Sequence, residues 1–93
     1  MSARASSSFP LGQIVASANA LAQITQADID AALQRHVIGD WGDLDAEDKE
    51  TNDRALVEGT RILSAYRAAN GTKFWIITEA DRSATTVLLP DDY

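Results

Sequence analysis

The chain has one histidine, His36, followed at short spacing by Asp40 and Asp43. An imidazole beside carboxylates can work as a general base, or join them in a mixed nitrogen and oxygen metal site. A small enzyme or metal-dependent hydrolase would use this set. No nucleophile is tied to it by spacing, and Ser83, Thr85 and Thr86 fall in a run that β-propensity already accounts for. His36 also lies on the apolar stripe of its helix, where a core imidazole bonded to a neighbour is the commoner role. Asp43, Asp45 and Glu47 alternate like the first ligands of an EF-hand, but Asp48 stands where that loop needs glycine and Arg54 where it needs a bidentate glutamate. Gly39, Gly42, Gly59 and Gly71 fit neither a Walker loop nor a dinucleotide turn. With no cysteine there is no thiolate nucleophile, disulfide or cysteine-ligated metal. We therefore expect no metal and no cofactor, and read the chain as non-enzymatic, with the His36 set as the alternative.

The remaining chemistry is electrostatic. Asp40, Asp43, Asp45, Glu47, Asp48, Glu50, Asp53 and Glu58 are opposed within their segment by Lys49 and Arg54 alone, a balance equal to the formal net charge of −6 for all 93 residues. Such a chain is repelled by phosphates, so direct nucleic-acid binding is not expected, whereas a basic protein surface is attracted. In the plainer reading the segment is a solvated helix with an acidic start. In the sharper one it imitates the charge of nucleic acid and fills a basic groove on a partner, with Trp41 as its anchor. The acids at Glu79 and Asp81 lie in a tight turn and are expected to be solvated.

These residues need elements to hold them. Met1 to Ser8 is small and polar and is expected to be a mobile arm, with a single α+β domain over residues 9 to 93. Gln13 to Ala16 leans to strand, and Ser17 can cap a helical turn. Thr25 caps a helix over residues 26 to 38, with Asp28 in a capping-box relation and Gly39 as its left-handed stop. Asp45 caps another from Ala46 to Val57, in which Glu50 can pair with Arg54. Its apolar stripe is thin, because residues 47 to 54 are all polar.

Beyond Gly59 the apolar period changes to two. Asn70-Gly71 signals a type I′ hairpin, and a second reversal at Asp81-Arg82 leads to a strand closed by Pro90. The fold class expected is α+β, N-terminal helices on an antiparallel meander of three strands, extendable to four. A two-residue Asn70-Gly71 loop sets Leu63 opposite Thr78 and Tyr66 opposite Trp75. It gathers Tyr66, Trp75, Ile77 and Leu88 on one face, an aromatic patch suited to an interface such as a homodimer. Residues 1 to 20 contain neither a leader pattern nor a membrane span, so a cytoplasmic protein is expected.

The stretches Phe9 to Ala16 (FPLGQIVA), His36 to Leu44 (HVIGDWGDL) and Phe74 to Ser83 (FWIITEADRS), with Leu88-Leu89-Pro90 and Tyr93, resemble a family of short bacterial proteins of unassigned activity. Its members are often associated with plasmids and other mobile elements, and some carry restriction-system labels. The resemblance spans residues 9 to 93 and brings no active site with it. It implies a context in which small acidic proteins act as inhibitors of host defence, of anti-restriction or anti-CRISPR type. A nuclease or defence complex is then the expected partner.

Overall fold

Each helix starts at a side chain that accepts a hydrogen bond from the backbone three residues ahead, satisfying one of the free N–H groups of a first turn. In the computed structural model, which describes residues 8–93, Ser17 accepts from Ala20, Thr25 from Asp28 and Asp45 from Asp48. The helices they open are α1 (Ala18–Gln23), α2 (Gln26–Val37) and α3 (Ala46–Glu58). The arm expected over Met1 to Ser8 lies outside the described residues except for Ser8, whose N–H donates to the Val37 carbonyl at 2.7 Å. Asp28 does not close a capping box; its carboxylate accepts from Ala69 N–H instead, at 3.2 Å. Nor do Glu50 and Arg54 form an ion pair: the one ion pair among the described residues joins Arg35 to Asp40.

Four strands follow the sheet order β1-β4-β3-β2, where β1 is Gln13–Ala16, β2 Ile62–Arg67, β3 Lys73–Thr78 and β4 Ala84–Leu88. The protein is α+β, and the sheet is mixed, because β1 runs parallel to β4 while the other two pairings are antiparallel. A parallel partner requires a crossover, and the helices supply it between β1 and the meander. Trp75 stands opposite Leu88 and Ile77 opposite Thr86, as the sequence leads one to expect.

The β2–β3 register differs by one residue. Tyr66 stands opposite Phe74 and Ile62 opposite Thr78, because the loop has three residues, Ala69 to Gly71, closed by Ala68 N–H to Thr72 carbonyl at 2.8 Å. Gly71 alone takes the left-handed conformation, at φ +89°, in a type I turn with a glycine bulge rather than a type I′ turn. Asn70 does not need positive φ there. Its side chain donates to the Gln23 carbonyl and accepts from Thr72 N–H, which docks the turn on the end of α1.

A shift of one residue turns every β2 side chain to the other face. Ile62, Ser64 and Tyr66 therefore face the helices and are buried, whereas Leu63 and Ala65 are half-buried on the opposite face. The main core joins Ala20, Ile24, Ile29 and Leu33 to Tyr66, Phe74, Ile76 and Val87. A second cluster of Phe9, Trp41, Ala55 and Ile62 sits beneath α3. Across the far face folds the C-terminal 3-10 turn, Pro90–Asp92, with the Tyr93 ring edge-on to Trp75 at 5.7 Å. Asp92 holds that turn down by accepting from Ser17 at 2.6 Å and Asn19 at 2.7 Å.

Candidate functional site

The acidic segment is mounted on the edge of β2. Ala65 exchanges backbone hydrogen bonds with Trp41 and Asp43, so the Trp41-Gly42-Asp43 stretch runs beside β2 like a short added strand. This approach depends on Gly42: at φ +77°, a Cβ would lie 1.9 Å from the Ala65 carbonyl oxygen. One step along, Asn52 is buried and its carboxamide bonds both backbone groups of Leu63, donating to the carbonyl at 2.7 Å and accepting from N–H at 3.3 Å. An amide side chain thus replaces a missing strand neighbour. This explains how α3 seats with so thin an apolar stripe.

Burial divides the sequence-derived binding residues. Trp41 is 3% exposed, packed between Phe9 and His36, and its indole N–H donates to the Asp53 carboxylate at 2.9 Å. It is a core residue and cannot be the protruding anchor expected from sequence, because its ring is consumed in joining α2 to α3. Asp40 pairs with Arg35 at 2.8 Å, and that guanidinium holds the carboxyl below its usual range. Asp45 is the cap of α3. Asp43, Glu47, Asp48 and Glu50 are exposed and have no ion-pair partner among the described residues. Beside them opens a cleft of about 260 Å³ lined by Leu44, Asp48, Thr51, Asn52, Arg61 and Leu63.

His36 is completely buried, and neither Asp40 nor Asp43 is among its hydrogen-bond partners. Its ring nitrogens face Ser64 and Thr78; Thr78 meets Thr85 at 2.8 Å, and Thr85 donates to the Leu11 carbonyl at 2.7 Å. Since each hydroxyl has one proton and the carbonyl can only accept, the direction of the whole chain is set from its end. Thr85 gives its proton to Leu11, Thr78 gives to Thr85, and His36 Nε2–H gives to Thr78. Nδ1 is then the acceptor from Ser64. Burial lowers the imidazole pKa to about 4, so the ring is neutral. The hydrolase constellation of His36 with Asp40 or Asp43 is not assembled, and no cluster of three or more potential metal-ligating residues occurs among the described residues.

The aromatic patch is also divided. Tyr66 lies on the helix side, under the Arg35 guanidinium and donating to the Asp40 carbonyl at 2.6 Å, while Trp75, Ile77 and Leu88 lie on the other. Ile77 and Leu88 are buried and Trp75 is half-buried, with Tyr93 and Pro90 over that face. The patch expected to meet a second copy is thus broken by the register and partly covered by the chain's own C-terminus.

Two roles are invisible in sequence spacing. One is the capping of β2 by Asn52, foreshadowed only by a polar residue on the inward side of a helix. The other is Arg82, in the left-handed region at φ 61°, which donates to the Ala55 carbonyl at 3.1 Å and the Thr60 carbonyl at 2.7 Å and so ties off the end of α3. No protein-family model matches the chain, and no curated protein or solved structure is significantly similar to it.

Proposed function

We propose that the chain is a non-enzymatic interaction protein that offers Asp43, Glu47, Asp48 and Glu50 to a basic surface of another protein. A nuclease or other nucleic-acid-handling defence complex is the partner this reading favours, encoded against by a mobile element. The observation that carries it is the contrast within one segment. Asp40 and Asp53 are engaged with Arg35 and Trp41, whereas Asp43, Glu47, Asp48 and Glu50 stand exposed with no ion-pair partner among the described residues. Surface acids left unpaired on a firmly seated helix raise association rates with a basic partner and reject acidic ones. Rigidity comes from the backbone pairing at Ala65 and the Asn52 clamp. The adjacent cleft, floored by Leu44 and Leu63, gives the surface a place to receive a side chain from the partner in place of the anchor that Trp41 cannot provide.

Affinity capture from the host with wild-type bait and with a Glu47→Lys, Asp48→Lys, Glu50→Lys bait tests this. Asp45 is left intact to preserve the cap. The wild type should retain a basic protein that the variant loses while its circular dichroism is unchanged. Equal retention by both baits sinks the proposal.

A further inference from the structure

The two edges of the sheet are finished differently. At β2 the outward backbone groups of Leu63 and Ala65 are taken up by Asn52 and by Trp41-Gly42-Asp43. At β1, Gln13 N–H donates to Ser83 and Ser17 N–H to Val87, so the odd-numbered residues face β4. Ile14 and Ala16 must then turn their N–H and C=O groups outward, and no hydrogen bond among the described residues reaches them. Sheet edges are usually blunted by charge, proline or a covering segment, and Gln13–Ala16 contains no charge or proline. Ile14 and Val15 are 49% and 41% exposed, on opposite faces of the sheet, and Leu21 of α1 is 58% exposed.

We propose that this edge docks a second copy of the chain, β1 against β1 in antiparallel order, about a twofold axis through Val15. The register follows from which groups are free. With Val15 opposite its own mate, Ile14 and Ala16 form the hydrogen-bonded pairs on either side, about four bonds in all. The arrangement is self-complementary, as a twofold interface must be, and the two sheets become one of eight strands. Strand order also removes the electrostatic objection. The acidic α3 lies against β2, three strand spacings or roughly 14 Å from β1. Each copy therefore holds the acids of α3 beyond a Debye length of about 8 Å from the joint, and the carboxylate beside the end of β1, Asp92, is engaged by Ser17 and Asn19. The contact is short, so the dimer is of the weak class, with a dissociation constant in the micromolar range. It does not rest on the acidic surface having a partner.

Sedimentation equilibrium of the full chain over a concentration series tests the proposal. The wild type should pass from monomer to dimer, with little effect of added salt. Val15→Lys sets two charges on the axis, and Ile14→Pro deletes an outward N–H without touching the β1–β4 ladder. Each should raise the dissociation constant about tenfold or more, with the circular dichroism spectrum retained. Trp75→Glu, on β3, should leave it unchanged. A protein monomeric at every concentration, including one that instead binds extended strands of other proteins, overturns the proposal. So does a dimer that both β1 variants retain, or one that only Trp75→Glu dissolves.

Discussion

His36 shows how placement decides chemistry for a single residue. A neutral imidazole with both nitrogens satisfied by hydroxyls is a structural junction between α2 and the sheet, and its burial has a consequence for pH. Its pKa is about 4 in the fold and near 6.5 once unfolded, so below 6.5 the unfolded chain binds the extra proton. Stability should fall as pH drops from 6.5 towards 4 and lose no more on this account below that, about 3 kcal/mol in total. Urea unfolding at pH 7 and pH 4.5 measures it. In His36→Gln the difference between the two pH values should shrink, even though the variant is weaker at both; an equal pH dependence would show that carboxylates alone set the acid limit. Tyr66 titrates in the opposite sense, its phenol pushed up to about 12 mainly by burial, so no tyrosinate from it should absorb at pH 10.5. That the stripe of α2 carried His36 inward was legible in its spacing. Its full set of partners was not, because Ser64 joins Thr78 and Thr85 only once β2 takes its observed register.

At the scale of elements, capping residues and periodicity located all three helices, and the β3–β4 pairing followed from its turn. The β2–β3 register did not. Asn-Gly is compatible with both a two-residue loop and a three-residue loop with a glycine bulge, and what decides between them is distant: Asn70 reaches the Gln23 carbonyl and Ala69 reaches Asp28. The acidic helix was legible as a helix, but its attachment was not, because a buried asparagine that serves as a strand neighbour has no signature in spacing. Asn52→Ala should cost about 1 to 3 kcal/mol in chemical denaturation, since it strands both backbone groups of Leu63. A loss under about 0.5 kcal/mol, ordinary for a surface substitution, would contradict the clamp. Gly42→Ala should be at least as damaging, at about 2 kcal/mol or more, because it combines positive φ with a collision at the Ala65 carbonyl. A melting temperature within a degree of wild type would show that the 41–43 stretch does not hold that position.

Taken whole, the molecule is polarised along its sheet. The acids of the 40–58 segment gather at the β2 end, where the backbone groups of Leu63 and Ala65 are taken up, and the uncharged, open β1 lies at the other end. Among the described residues no helix is long and apolar enough to cross a membrane. The net charge of −6 thus amounts to a localised field instead of a diffuse property of the surface. The expected location of that field was readable from composition. The loss of Trp41 as its anchor was not, since a tryptophan among acids looks exposed until Phe9 and His36 are seen to enclose it. The function of the protein turns on whether that field is used. Its most direct test is the salt dependence of affinity between this chain and the protein it captures, measured for wild type and for the Glu47→Lys, Asp48→Lys, Glu50→Lys variant. Affinity of the wild type should fall steeply from about 50 to 200 mM salt, and the residual affinity of the variant should be lower and nearly flat. Equal affinity and equal salt dependence in the two proteins would contradict it.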